Sequence, residues 1–118
     1  MESVEQEMVM KWASMQENVF PCLKHLFHIP NGGGRNIAEA AHLKRMGVKA
    51  GVPDLCLPYP SGKYHGLYIE MKTDNGRLSA AQREYLSWLN MAGYYAVCCH
   101  GAEEAIEVIW GYVNERGV

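Results

Sequence analysis

The feature that most constrains this chain is a pair of acids set into short apolar segments. Gly51-Val-Pro-Asp54 leads into Leu55-Cys-Leu57, and after the turn Pro58-Tyr-Pro-Ser-Gly62 comes Leu67-Tyr-Ile-Glu70-Met-Lys72. Both apolar segments have the length and composition of strands. Strand side chains alternate faces, so Glu70 and Lys72 share one side while Ile69 and Met71 point into the opposite layer. An acid in such a setting must reach water or a cation, because an unpaired buried carboxylate is costly. Pro53 removes a backbone donor and holds Val52 extended, which puts Asp54 at the start of its strand.

The rest of the chain supplies helices to cover these strands. Val4, Met8, Trp12, Met15 and Val19 recur at steps of three and four, which predicts a helix over residues 3–19 that stops at Pro21. Residues 23–29 read as a strand ended by Pro30-Asn-Gly-Gly-Gly34, and residues 36–46 as a second helix closed at Gly47. Strands are expected over residues 54–57 and 66–71. Ser79 and Gln82 form a capping-box pattern at the head of a third helix, whose packed side is Tyr85, Leu86, Leu89 and Ala92. A strand over residues 94–99 follows. A last helix begins near Ala102, with Ile106, Ile109, Trp110 and Val113 as its stripe. This order predicts an α/β protein with a small central mixed sheet flanked by helices. At 118 residues the chain is read as one domain spanning residues 1–118.

Several classes are disfavoured. No apolar run approaches the roughly 20 residues that span a bilayer, and the acidic start Met1-Glu-Ser-Val-Glu5 is unlike a secretory signal, so no membrane partner and a cytoplasmic location are expected. Cys22, Cys56, Cys98 and Cys99 lack the spacing of a zinc knuckle or a disulfide framework and read as small apolar residues. The net charge of -2 offers no general attraction to a polyanion. Locally, Arg35, Lys44, Arg45 and Lys49 precede Asp54, while Lys72, Arg77 and Arg83 surround and follow Glu70. Much of the acid lies toward the two ends. The basic middle is either a solvated surface or a nucleic-acid face.

Asp54, Glu70 and the Met71 carbonyl are oxygen donors of the kind that suits magnesium or manganese better than zinc. Lys72 on the same face is placed either for a plain ion pair with Glu70 or to orient an attacking water beside a phosphate. Gln82 either caps its own helix or holds a water or phosphate near Lys72. Arg77 is either a rim contact to phosphate or solvated. His28 and Asn31, beside the glycine loop, are either turn residues or contacts to a bound backbone.

Five segments in order carry a resemblance: Pro30-Asn-Gly-Gly, Gly47-Val-Lys-Ala-Gly-Val-Pro-Asp54, Gly66-Leu-Tyr-Ile-Glu-Met-Lys72, Gly76-Arg-Leu-Ser-Ala-Ala-Gln82 and Gly93-Tyr-Tyr-Ala-Val97. Together they resemble the VRR-NUC domain of the PD-(D/E)xK, restriction-endonuclease-like superfamily, in particular its small free-standing viral or bacterial members. The resemblance implies a Mg2+- or Mn2+-dependent DNA endonuclease leaving 5′-phosphate and 3′-hydroxyl ends. It further implies a homodimer acting on branched DNA, with a Holliday-junction resolvase as the specific expectation. It places Asp54, Glu70 and Lys72 at the catalytic centre with Gln82 in support. It also looks for a glutamate on the first helix. Glu5 is chosen because it borders the apolar stripe, and Glu7 and Glu2 stay open. His28, Asn31, Arg35, Lys49, Arg77 and Arg83 are the candidate DNA contacts. The competing reading is a nucleic-acid-binding protein of the same fold without cleavage of its own.

Overall fold

In a computed structural model of the protein, residues 2–30 and 36–115 are described. Asn31 and Arg35 lie outside them. Helix α1 (Glu2–Met15) is followed by a 3-10 turn (Pro21–His25), strand β1 (Phe27–His28), helix α2 (Ile37–Arg45) and strands β2 (Leu55–Leu57) and β3 (Leu67–Lys72). Helix α3 (Ala80–Met91), strand β4 (Tyr95–His100) and helix α4 (Ala102–Val113) complete the order. The four strands form one mixed sheet in the order β1-β2-β3-β4, antiparallel except for the parallel β3–β4 pair. Helix α3 is the crossover that a parallel pair requires.

Strand alternation sorts the sheet into two layers. Leu55, Leu57, Leu67, Ile69, Met71 and Cys99 pack with Val9 and Ala13 of α1 and with Ala102, Ala105, Ile109 and Tyr112 of α4. On the other face Ala96 packs with Leu86 and Leu89 of α3, joined by the partly buried Tyr68, Tyr94 and Cys98. Ile69 and Met71 therefore point into the α1–α4 layer, and Glu70 and Lys72 toward the α3 side, as their spacing predicts.

Three expectations are corrected. Helix α1 ends at Met15, not Val19, and its inward row is Val9 and Ala13. Val4, Met8, Met15 and Val19 are all more than half exposed. The large apolar residues suggested one stripe, but the sheet receives the smaller pair one position on, and Glu5 lies four residues before Val9 on that inward side. Residues 21–25 form a 3-10 turn in place of the start of a strand, because Pro21 with its fixed φ sits in the first turn of that short helix, and the strand shrinks to two residues. On α4, Trp110 is 41% exposed and Tyr112 takes the buried place.

The local caps follow the sequence closely. Asn36 accepts from the Glu39 amide at the head of α2, and Ser79 and Gln82 form both halves of the capping box of α3. No residue of α2 is buried. Cys56 and Cys99 are buried, Cys22 and Cys98 partly so, and all four are free thiols. Among the described residues no helix is long and apolar enough to cross a membrane.

Candidate active site

The β2–β3 register pairs Leu55 with Ile69, so Asp54, one residue before β2, comes level with Glu70. Residues opposite each other on antiparallel strands project to the same face. Asp54 can be read as a turn aspartate that caps a backbone amide or as a site acid, and the capping bond is present: its Oδ2 accepts from the Met71 amide at 2.8 Å, which ties the entry of β2 to the end of β3. Its carbonyl accepts from the Ile29 amide at 2.7 Å and from His28 Nδ1 at 2.9 Å. A carbonyl only accepts, so the exposed His28 ring carries a proton on Nδ1. The sequence offered His28 as a turn residue or a DNA contact. Its observed bond secures the Asp54 backbone.

Glu70 is the buried member, with a side chain 3% exposed. Its Oε2 accepts from Gln82 Nε2 at 3.2 Å and lies 3.7 Å from Lys72 Nζ, whose side chain is 12% exposed. A carboxylate this deep requires such company. Gln82 serves two elements at once. Its Oε1 accepts from the Ser79 amide at 2.9 Å while its nitrogen reaches Glu70. The capping and site roles that the sequence left as alternatives are thus served by opposite ends of one amide. Gly51, with φ +85°, passes directly against the Ala81 carbonyl, where a Cβ has no room. That contact brings the loop before Asp54 against the head of α3.

Glu5 reaches a neighbouring position. Its Oε1 accepts from the Ala102 amide at 2.7 Å, at the N-terminus of α4, where a negative charge is favoured. With Thr73, Asp74 and Gly101 it lines an open cleft just past Lys72. No three His, Cys, Asp or Glu side chains converge on one metal position among the described residues, so Glu5 is not gathered with Asp54 and Glu70 into a three-acid cluster. The two acids brought level here, Asp54 and Glu70, offer carboxylate oxygens of the kind that suits a hard divalent cation.

Two further residues, without a signal in the sequence, border the site. Cys98 pairs with Glu70 and His100 with Lys72 across the parallel ladder. Burial, then the Glu70 carboxylate, push the Cys98 thiol up, while Lys72 opposes them. His100 Nε2 lies 3.0 Å from the Gly76 carbonyl, to which it donates, fastening the loop that carries Arg77. Neither could be found from the chain alone, because both depend on the β3–β4 register. Arg83 is committed to the Leu78 carbonyl at 2.9 Å; Arg77 and Lys49 are exposed.

Residues 2–103 match the VRR-NUC domain. A solved structure of a VRR_NUC domain protein superposes with a TM-score of 0.84 at 38% identity, covering 97% of this chain and 88% of that one. The Fanconi-associated nuclease 1 homolog of Schizosaccharomyces pombe (strain 972 / ATCC 24843) is 43% identical over 51 residues, 43% of this chain and 7% of that protein. This chain thus corresponds to a small part of that relative. With five motif segments in order, and with Asp54, Glu70 and Lys72 on the face of a mixed sheet that Gln82 of α3 covers, the chain belongs to the VRR-NUC family of PD-(D/E)xK-superfamily nuclease domains.

Proposed function

We propose that this protein is a divalent-metal-dependent DNA endonuclease, with Asp54, Glu70 and Lys72 as catalytic residues and Gln82 in support. The observation that carries this reading is the buried Glu70 on one face with Lys72 and level with Asp54, at the head of the helix that presents Gln82. Asp54, Glu70 and the Met71 carbonyl would hold Mg2+ or Mn2+, while Glu5 of α1 would act from the neighbouring cleft, where it is bonded to the Ala102 amide. When bound, such an ion acidifies a coordinated water and neutralises charge on the phosphate.

The chain's own groups do the rest. Lys72, cationic and largely shielded from water, orients the attacking water and offsets charge that grows on the phosphate in the transition state. Gln82 fixes the Glu70 rotamer. The Met71 amide does the same for Asp54, so neither carboxylate must reorganise during the reaction. Arg77, Lys49 and His28, with Asn31 and Arg35, are assigned to the DNA backbone, and Arg83 reaches it only from its bond to Leu78.

Branched DNA as substrate and a homodimer as the working form belong to the same proposal. The uncovered α2 supports an assembly. Nine residues are too few for a stable isolated helix in water, and none of these is buried. A two-fold dimer would present two centres to two strands.

The test is cleavage of matched linear and branched DNAs with magnesium, manganese or chelator, read at nucleotide resolution. Asp54→Ala and Glu70→Ala are expected to abolish cutting with the fold kept; activity retained in either sinks the assignment. DNA binding by the wild-type protein with no cutting under any metal would favour the binding-only reading.

A further inference from the structure

Beside the proposed centre, on the same side of the sheet, two clefts run together along α3. The first is lined by Lys44 of α2, by Lys49, Ala50 and Gly51 of the following loop, and by Gln82. The second, of about 390 Å3, shares Ala50 and is walled by Ala81, Glu84, Tyr85 and Trp88. Its volume lies at the lower end of the ~300–1,000 Å3 usual for small-molecule sites. Ala81, Glu84, Tyr85 and Trp88 follow each other at helical spacing, so they line one strip of α3. Trp88 is 60% exposed, and Tyr85 meets it edge-on with ring centroids 6.4 Å apart.

The two clefts differ in chemistry. Next to Gln82 the charged side chains are lysines, which suit phosphate. Farther along, the polar wall is a carboxylate beside two aromatic rings, which repels phosphate and suits the face and amino edge of a base. From Gln82 to Trp88 is six residues, about 9 Å of helix, the length of about two to three stacked nucleotides at ~3.4 Å each. We propose that the Ala50–Ala81–Trp88 cleft is a binding site for one unpaired nucleobase of a single-stranded arm, stacked on Trp88, with Lys44 and Lys49 holding the phosphates that lead to the cutting centre. This rests on the nuclease reading and deepens it: the site selects DNA that has a single-stranded branch or overhang.

The experiment measures binding by fluorescence anisotropy in chelator, so that no DNA is cut. It uses a duplex with a single-stranded overhang, the blunt duplex, and overhang versions carrying one abasic nucleotide at each position in turn. One abasic position is expected to weaken wild-type binding about 5- to 150-fold, the usual range for losing one base–aromatic stack. Trp88→Ala is expected to lose the same factor on the intact overhang, to be indifferent to that abasic position, and to bind blunt duplex like wild type. Trp88→Phe should restore most of the loss. Losses from Trp88→Ala and the abasic nucleotide that multiply, or equal weakening on blunt and overhang DNA, overturn the site. So does a drop from dimer to monomer in sedimentation of Trp88→Ala, which would assign the cleft to a second copy of the chain. The nuclease reading fails separately, by absence of metal-dependent cutting, and that result leaves the binding comparison intact.

Discussion

Gln82→Glu separates the two ends of the residue that links helix α3 to the proposed centre. Glutamate caps as well as glutamine, so the bond from the Ser79 amide survives. The other end changes from a donor into a second carboxylate, 3.2 Å from Glu70 Oε2 by the wild-type distance. At an effective dielectric of about 20 that repulsion approaches 5 kcal/mol. The pair can escape by binding one proton. At pH 7, for a carboxyl that ordinarily titrates near 4.3, this costs about 3.7 kcal/mol, which caps the penalty; at pH 5 it costs about 1 kcal/mol. The repulsion raises the affinity of the folded variant for a proton relative to its unfolded chain. Its stability relative to wild type is therefore best at low pH and falls as pH rises. The expected outcome, from urea unfolding in chelator, is a deficit of about 2–4 kcal/mol at pH 7 that falls to about 1 kcal/mol at pH 5. Ser79→Ala serves as control, with a pH-independent loss of about 1 kcal/mol from the cap alone. A Gln82→Glu deficit that is the same at both pH values would refute the placement of the amide against Glu70.

Other consequences can be checked with equally simple measurements. Gly51→Ala must displace the Ala81 backbone as well as adopt a positive φ and should cost about 2–4 kcal/mol, whereas Gly62→Ala, with φ +57° and open space around it, should cost only about 1–2 kcal/mol; equal losses in denaturant titrations would remove the contact between the loop and α3. Asp54→Asn keeps an acceptor for the Met71 amide and should fold with less than about 1 kcal/mol change, whereas manganese is expected to raise the Tm of wild type and not of this variant; an equal rise in both would place the ion elsewhere. Burial pushes all four thiols up, Cys99 to about 12, so Ellman-type reagents should react slowly with the folded protein at pH 7.5 and rapidly once it is denatured; one fast native thiol would contradict the packing. Burial also holds Tyr68 and Tyr112 at about 12. In the unfolded chain these groups lose their protons near 10, and Cys99 near 9, so stability should decline from about pH 9 upward, as chemical denaturation across pH 8–11 would show.

Legibility followed the sequence distance over which each feature is decided. The capping box of α3 and the faces of Glu70 and Lys72 are set within three residues, and each is found where the sequence puts it. The inward face of α1 is set by what the sheet can receive. Large Met and Val side chains drew the stripe to the wrong row, while Val9 and the small Ala13 fit against the buried strands. Pro21, in sequence a natural helix stop, opens a short 3-10 turn, since a fixed φ suits both. Cys98 and His100 became neighbours of the site only through the parallel register, which no local pattern encodes.

The same distinction explains why the chemistry is easier to read than its support. Asp54, Glu70 and Lys72 fall within nineteen positions, at the entry of one strand and on the antiparallel strand that follows it, so composition and spacing are enough to bring them together. Glu5 meets its partner, the Ala102 amide, across 97 residues, and His28 meets the Asp54 carbonyl across 26. Those contacts link the sheet to α1, α4 and its far edge. Gln82 belongs to both groups, since one end obeys a local helix rule and the other reaches across twelve residues to a buried acid. Loosening the head of α3 must therefore disturb Glu70 even where no proposed catalytic side chain is touched. A helix cap in this fold is then also a hold on the orientation of the buried Glu70 carboxylate.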